Sequence, residues 1–359
     1  MKQTTKYVGL DVHQATTVAV VGDETGRVIA RSVVPTEAMA LLEFMRGMRG
    51  AVHVVLEEGT QAQWLHDLLV GRVARVIVCD RRGEPRRGSK GDWHDAEWLM
   101  GRLRTGELRA VYHGSPHLAT LRELGRAYRN VIEDATRVMS RLKALFRGRG
   151  IRTTGRGVYD PAERAAWLAK LDGAGVRLRA ATLYAELEVL QTLRPTAKAA
   201  LVAEARRDPA WGVLRTIPFL GPVRVALLLA TLQTPWRFRT KRQLWTYAGL
   251  AVVTHTTSEY ALDASGRPVR RRRSPMTRGL NRNHNHVVKE VLKGAATVAA
   301  VRAGEFRDFY QALLARGMRE ELARVTLTRK LAALTLRLWK AGERYDARKL
   351  TTSHVVPAR

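Results

Sequence analysis

Four acidic residues have the types and positions expected of a metal site: Asp11, Glu57, Asp92 and Asp95. The first two each end a short apolar run, and the last two lie three residues apart, so on a helix they would share one face. Cleavage of a phosphodiester by two metal ions needs carboxylates that converge from separate elements. Mg²⁺ prefers such oxygen ligands, and Mn²⁺ is its usual substitute. The set therefore predicts a centre for nucleic-acid cleavage that holds two Mg²⁺ ions.

Each of these acids also has an ordinary structural interpretation. A single Asp after a strand is commonly a turn residue, and Asp92 is a good helix N-cap with Asp95 as its partner. Glu58 adjoins Glu57, and strand register decides which of the two faces the site. Asp80 also ends an apolar run and is another candidate ligand. Two histidines beside these acids, His13 and His94, are candidates for metal ligation or proton transfer, or are simply polar surface residues.

The order of predicted elements would bring these acids together. Alternating and apolar runs predict strands at residues 7–11, 16–21, 28–34, 51–56 and 73–79. Helical spacing follows the third and fourth strands, with Thr36 as the cap of a helix that extends to Met48. Three antiparallel strands followed by parallel strands joined by helices indicate an RNase H-like α/β fold. In that fold Asp11 and Glu57 end neighbouring strands, and a helix opened by Asp92 meets them at one sheet edge.

Composition and charge favour a polyanionic partner. The chain has 359 residues, room for two or three domains, and a formal net charge of +29. Such an excess of Arg and Lys is typical of proteins that bind nucleic acid. No apolar run of about 18 residues suggests a membrane span, and no signal peptide is evident. Cys79 is the single cysteine, which excludes an internal disulfide and a cysteine-rich zinc site. We expect a cytoplasmic protein.

Three basic or glycine-containing segments are predicted to contact phosphates. A loop over residues 81–91 and a later arginine-rich stretch supply the charge. Residues 217–223 resemble a helix-hairpin-helix turn, in which backbone N–H groups near Gly221 would face a phosphate. The predicted contact residues are Arg86, Arg87, Lys90, Gly221, Arg270, Arg271, Arg272, Arg273, Arg278 and Arg282.

The rest of the chain is predicted to be mostly helical. Apolar residues at helical spacing predict one long helix over 118–146 and a second helical region over 162–204 with breaks near Gly173 and at Pro195. This elongated section is a predicted oligomer contact. Shorter helices follow at residues 238–247, 287–302, 305–316 and 320–340. The predicted domains are therefore 1–112, the acidic domain; 113–208, the helical linker; 209–345, a C-terminal domain; and 346–359, a tail.

Six motifs together resemble one known family. They are residues 7–13 (YVGLDVH), 56–60 (LEEGT), 92–95 (DWHD), 217–222 (IPFLGP), 247–250 (YAGL) and 279–285 (GLNRNHN). The set is similar to insertion-sequence transposases with an N-terminal DEDD, RuvC-like domain, the relatives of Piv-type invertases that include bridge-RNA-guided recombinases. The resemblance spans almost the whole chain. It implies a RuvC-like domain with Mg²⁺ on the four acids, a coiled-coil section and a C-terminal transposase domain.

The resemblance also implies a mechanism and partners. The family carries a nucleophilic serine shortly after the Ala-Gly-Leu motif, which here implies Ser258, with Thr257 as the alternative. Serine attack would link protein to DNA in a composite site that different subunits of a dimer or tetramer can share. A structured noncoding guide RNA would select donor and target DNA in the nucleoid of a prokaryotic cell. Two other functions fit the residues: a junction-resolving endonuclease that uses metal-activated water, and a protein that binds nucleic acid without catalysis.

Overall fold

A computed structural model of the chain describes residues 4–80, 91–114, 118–255, 259–262, 265, 267–271 and 276–347. The chain divides into two compact units, Met1–Pro116 and His117–Arg359, which are described in turn. The boundaries of the finer four-part division predicted from the sequence stay a prediction.

The first unit is a five-stranded mixed sheet with helices on both faces. Its strand order is β3-β2-β1-β4-β5, in which β1 to β3 are antiparallel neighbours and β1, β4 and β5 run parallel. The predicted order of strands and helices is confirmed, and the sheet fits an RNase H-like domain. The elements are β1 Thr5–Val12, β2 Thr16–Gly22, β3 Val28–Pro35, α1 Ala38–Arg46, β4 Ala51–Glu57, α2 Ala62–Leu69, β5 Arg75–Cys79 and α3 Asp92–Thr105.

Alternation along the strands gives this sheet a core on each face. On one face, Leu10 of β1 packs with Leu41 of α1 and Leu65 of α2, and all three are fully buried. On the other face, Val20 of β2 packs with Met100 of α3. Helix α3 therefore covers the opposite face of the sheet from α1 and α2.

The helix predicted to begin at Thr36 has a different start. Helix α1 begins at Ala38 with Glu37 as its N-cap residue, and no side chain caps it. The Thr36 hydroxyl instead donates to the His13 carbonyl and lies 2.9 Å from the Thr17 hydroxyl. The prediction was wrong because a partner from the β1–β2 turn, distant in sequence, competes with the local cap for the same hydroxyl.

The second unit is mostly helical, as expected, with two small β-ladders. Its elements are α4 Ala119–Arg147, α5 Arg164–Ala169, α6 Ala174–Ala205, α7 Trp211–Leu214, α8 Pro222–Leu232, α9 Lys241–Tyr247, β6 Val252–His255, β7 Glu259–Leu262, β8 Pro268–Arg271, β9 Met276–Leu280, α10 His286–Ala299, α11 Glu305–Ala315 and α12 Glu320–Ala341. Strand β6 pairs with β9, and β7 pairs with β8. The strand or extended segment predicted near residues 251–258 is confirmed in β6. The short strands β7, β8 and β9 were not predicted, because runs of four or five residues lack a clear apolar alternation.

The two long helices confirm one prediction and correct another. Helix α4 matches the long helix expected over 118–146, and α6 begins just after the predicted break at Gly173. The predicted break at Pro195 is wrong, because α6 continues through it. Pro195 is exposed, and α6 is anchored by buried residues before and after it, Leu187 and Leu201. Packing on both sides outweighs the loss of one backbone hydrogen bond.

Two hydrophobic clusters stabilise this unit. The first lies between α4 and α6 and contains Phe146, Trp167 of α5 and Tyr184. The second, larger cluster joins α8, α10 and α12 through residues such as Leu229 and Leu292. Within the described part of the chain, no helix is both apolar enough and long enough to cross a bilayer.

Candidate metal centre

Asp11 lies near the end of β1 on the face covered by α3. Leu10 pairs with Leu56 in the parallel register of β1 and β4, so Asp11 follows the last paired position of the two strands. Gly9, on the same face as Asp11, lies directly under α3. The Asp11 side chain is only 19% exposed. The central strand therefore presents a mostly buried carboxylate near its C-terminal end.

Strand register separates Glu57 from Glu58. Val55, two residues before Glu57, packs against Leu99 and Leu103 of α3, so Glu57 belongs to the same face as Asp11. Glu58 instead contacts His113, whose Nε2 atom lies 2.9 Å from its Oε2 atom. The register thus favours Glu57 over Glu58 as the partner of Asp11.

His113 anchors Glu58 through a further hydrogen-bonded group. The Gln63 amide nitrogen donates to Asp67 at 2.8 Å, which leaves the Gln63 oxygen to accept from His113 Nδ1 at 2.9 Å. His66 stacks on the His113 ring with centroids 5.0 Å apart. The His113 side chain is 6% exposed, and its contacts with Gln63 and His66 hold the ring in one orientation. The ring in turn fixes the orientation of Glu58.

Asp92 and Asp95 occupy the first turn of α3. Gly91 is the N-cap residue, so the alternative interpretation of Asp92 as the N-cap is wrong. Asp92 is the first helical residue, and Asp95 follows one turn later on the same side. Their charges act on Asp11, because both raise the pKa of its carboxyl group. The helix therefore brings its two carboxylates towards the end of β1.

The absence of a side chain at Gly9 allows this approach. A Cβ atom built on Gly9 would lie 2.0 Å from the Ala96 carbonyl oxygen and 2.7 Å from the Met100 nitrogen. Both are backbone atoms of α3, so any larger residue would force the helix away from β1. The contact occurs one residue after Asp95 on α3 and two residues before Asp11 on β1, and it sets the separation of the acids.

His13 completes a compact group of possible ligands. Its Nε2 atom lies 3.2 Å from Asp11 Oδ2 and 3.6 Å from Asp92 Oδ2. One ligand atom from each of these three residues lies within 4.8 Å of the others. His13 was one of two candidate histidines in the sequence, and its contact with Asp92 depends on the packing of α3.

The electrostatics of the group suit a cation. Burial raises the pKa of Asp11, Asp95 and Asp92 raise it further, and His13 opposes the shift. Burial and repulsion both disfavour the negative charge of Asp11, and a divalent cation would relieve both. The donors are carboxylate oxygens and one imidazole nitrogen, a set that fits divalent metals. The residues present therefore fit a divalent metal ion.

A groove of about 550 Å³ opens beside these residues. Its lining includes Asp11, His13, Glu57, Glu58 and Thr60. Asp80, the other candidate ligand, follows the edge strand β5, and its N–H group donates to the Arg109 carbonyl. Asp11 and Glu57 therefore line one open groove.

The remaining predicted site residues belong to the second unit or fall outside the described residues. Ser258 and Thr257 fall outside them, between the end of β6 and the start of β7. So do Arg86, Arg87, Lys90, Arg272 and Arg273. Gly221 is the N-cap residue of α8, Arg270 and Arg271 lie in β8, Arg278 lies in β9, and Arg282 is exposed before α10.

The predicted hairpin turn before α8 is held by arginines. Phe219 has a left-handed backbone, with a φ of 66°. Arg224 donates to the Phe219 carbonyl at 2.8 Å, and Arg215 donates to the Leu220 carbonyl at 2.6 Å. These hydrogen bonds occupy two carbonyl groups of the turn. Gly221 follows them as the N-cap residue of α8. A role of this turn in phosphate binding stays a prediction.

Two family models match the chain. A transposase model of the IS110 DEDD type matches residues 8–149, which include all four acids. A model described as the transposase IS116/IS110/IS902 family matches residues 212–311, which include Ser258. No curated protein matches the chain significantly. The DEDD-type match covers the four acidic residues, and the second match covers the C-terminal motifs, in the order that the sequence predicts.

Proposed function

We propose that this chain moves an insertion sequence through a covalent serine–DNA intermediate that metal-bound carboxylates assist. Its two matched domains make it an IS110-family transposase, and thus a DNA recombination enzyme. The observation that carries the proposal is the convergence of Asp11, Glu57, Asp92 and Asp95 on one end of the sheet. Such a cluster is the ligand set that phosphoryl transfer with divalent metals requires.

The covalent step is assigned to the segment between β6 and β7. The Ser258 hydroxyl oxygen would attack a DNA phosphorus, forming a phosphoserine bond as the bond from phosphorus to a sugar oxygen breaks. The serine loses its proton, and the leaving sugar oxygen gains one. Rejoining reverses these steps with a different sugar hydroxyl. Thr257 is the alternative nucleophile, and its extra methyl group makes it the poorer one.

The carboxylates would serve this step through the metal. A bound divalent metal would supply charge stabilisation at the phosphate and lower the proton affinity of the attacking hydroxyl. The chain itself supplies the carboxylates, with Asp11 and Glu57 on neighbouring strands and Asp92 and Asp95 on α3. The likeness to bridge-RNA-guided recombinases and the net charge of +29 support a structured noncoding RNA as a partner beside donor and target DNA.

A second copy of the chain is the proposed partner of α6. Three apolar residues on its surface, Leu178, Val189 and Leu193, are 69%, 59% and 48% exposed. Their spacings are close to whole helical turns, so they form one stripe. Exposed apolar residues aligned on one side of a helix are typical of a protein contact. Analytical ultracentrifugation should show that Leu178→Glu with Val189→Glu weakens self-association relative to the natural protein.

Trapping on a nicked suicide DNA tests the proposed chemistry. The full-length protein, with the noncoding RNA encoded beside its gene and Mg²⁺, should form a covalent protein–DNA adduct. Ser258→Ala should abolish the adduct, whereas Thr257→Ala should retain it. Loss in Thr257→Ala alone would transfer the role to Thr257. Asp11→Asn should reduce adduct formation without weakening RNA binding.

A junction-resolving endonuclease is the second candidate function. The acidic cluster alone favours it, because metal-activated water needs no serine. Under that function, branched DNA would be cut with Mg²⁺ and no covalent adduct would form in any variant. Unchanged cleavage in Ser258→Ala would therefore favour hydrolysis over serine attack.

A further inference from the structure

His13 lies between two of the acids, Asp11 of the preceding strand and Asp92 of α3, which is distant along the chain. Its Nε2 atom lies 3.2 Å from Asp11 Oδ2 and 3.6 Å from Asp92 Oδ2. Donor atoms in neighbouring positions around one metal ion are separated by about 3 Å when each bond is about 2.1 Å long. The Nε2 atom is therefore nearly as close to each carboxylate oxygen as two ligands of a single ion are to each other, and all three atoms lie within 4.8 Å of one another.

The backbone of His13 is held by a hydrogen-bonded chain of two threonine hydroxyls. The Thr36 hydroxyl donates its proton to the His13 carbonyl at 2.9 Å. The Thr17 hydroxyl, which is fully buried, must then donate to Thr36 across 2.9 Å. The His13 N–H group donates to the Thr16 carbonyl at 3.0 Å. Both sides of the His13 peptide are thus fixed, as expected of a side chain that must be held in one place.

The local charges favour an additional cation over a simple ion pair. Within the described residues, the ion pairs formed by Asp11 and Asp92 are both with His13. One imidazole Nε2–H can donate to one of these carboxylates at a time, and Asp95 adds a further negative charge near Asp11. A divalent ion in the same space would interact with Asp11, Asp92 and the imidazole together.

We propose that His13 is a nitrogen ligand of the metal centre, which makes the site a mixed oxygen and nitrogen site that selects Mn²⁺ over Mg²⁺. The inference rests on the proposed function, because it assumes that the acids bind a metal. Ligation uses the Nε2 lone pair, and the proton moves to Nδ1 or is released. Imidazole suits transition metals, whereas Mg²⁺ is held almost entirely by oxygen. His13 would therefore contribute more to Mn²⁺ affinity than to Mg²⁺ affinity.

Binding of the metal alone provides a test that does not depend on activity. The full-length protein is titrated with Mn²⁺, free Mn²⁺ is followed by its electron paramagnetic resonance signal, and Mg²⁺ is added as a competitor. We expect His13→Gln to weaken Mn²⁺ binding about tenfold or more, as for loss of a metal-site residue. The change in Mg²⁺ affinity should be several-fold smaller. His94→Gln is the matched control, because His94 is an exposed histidine in the same turn of α3 as Asp92.

Pulsed resonance on the Mn²⁺-loaded protein identifies the ligand directly. A ¹⁴N coupling from a bound imidazole should be present in the natural protein and in His94→Gln. It should change to the ¹⁵N pattern when the histidines are labelled, and it should be absent in His13→Gln. His13 is 48% exposed, so this variant is expected to fold, and circular dichroism checks it.

Each result has a distinct meaning. Bound Mn²⁺ without histidine nitrogen coupling in the natural protein would overturn the ligation by His13 and leave the acidic centre in place, whatever the variants do. Coupling that persists in a folded His13→Gln protein would also overturn it. Failure of the natural protein to bind Mn²⁺ or Mg²⁺ would contradict the metal centre of the proposed function itself.

The Thr36 hydroxyl gives a positioning test of the same proposal. Thr36→Val keeps the shape of the side chain and removes the bond to the His13 carbonyl. We expect Mn²⁺ affinity to fall between that of the natural protein and that of His13→Gln, with the ¹⁴N coupling retained. Equal affinities in Thr36→Val and the natural protein would contradict the role of this hydrogen-bonded chain.

Discussion

Replacing Gly9 by Ala should separate the two halves of the acidic centre. The added Cβ would lie 2.0 Å from the Ala96 carbonyl oxygen, whereas ordinary contacts begin at 3.4 Å. The obstructing atom belongs to helix backbone, so α3 must move as a body by roughly 1 Å rather than rotate one side chain. Asp92 and Asp95 would move with it, away from Asp11.

The size of the effect follows from overpacking and from ligand displacement. Inserting a methyl group into a packed contact costs about 1–3 kcal/mol of unfolding free energy. A displacement of about 1 Å in a metal ligand shell should lower metal affinity about tenfold or more. Urea unfolding gives the first quantity, and Mn²⁺ titration of the folded protein gives the second.

Gly101→Ala is the matched control for Gly9→Ala. Gly101 lies on α3 itself, and a Cβ atom there would meet nothing within 4 Å. A Gly-to-Ala change inside a helix stabilises it by about 0.5–1 kcal/mol. We expect a slightly more stable protein with unchanged Mn²⁺ affinity. If Gly9→Ala matched the natural protein in both measurements, the close contact of α3 with β1 would not be what positions the acids.

Three further changes test other parts of the structure. Burial raises the pKa of Tyr184 to about 12, so its contribution to stability is complete below pH 10 and is lost between about pH 10 and 12. The free energy of unfolding of Tyr184→Phe should therefore vary less with pH in that window than that of the natural protein. At pH 8 the variant should be about 1–2 kcal/mol less stable, because the hydrogen bond to the Val158 carbonyl is lost. His113→Phe should cost about 1–3 kcal/mol in urea unfolding while Mn²⁺ affinity stays unchanged, since the hydrogen bond of His113 is to Glu58, which the strand register does not favour as a ligand. A large loss of Mn²⁺ affinity would make Glu58 the ligand. Leu292→Ala, in the cluster between α8, α10 and α12, should cost about 2–5 kcal/mol, and a smaller change would mean that the cavity collapses.

Elements with strong periodicity could be predicted from the sequence. The strands of the first unit and helix α4 follow patterns that local chemistry decides, and their order was sufficient to place Asp11 beside Glu57. The choice between Glu57 and Glu58 depends on a single step of strand register. The packing of Val55 against α3 sets that step, and no pattern in the sequence reports this contact.

Tertiary contacts decided the features that the sequence did not predict. The bond from Thr36 to the His13 carbonyl joins segments that are distant along the chain, so local capping rules could not find it. The contact of His13 with Asp92 requires the close packing that Gly9 permits. Pro195 remains inside α6 because residues on both sides of it are buried, which a local rule for proline does not include.

Metal-dependent DNA cleavage by Asp11→Asn tests the central claim most directly. The variant is compared with Glu97→Gln, which alters an acid of α3 that pairs with Arg31 at the surface. With donor and target DNA, the noncoding RNA and either Mg²⁺ or Mn²⁺, we predict that Asp11→Asn loses activity by about 10²-fold or more, while Glu97→Gln stays near the natural rate. Full activity of a folded Asp11→Asn protein would contradict a metal centre built on this carboxylate.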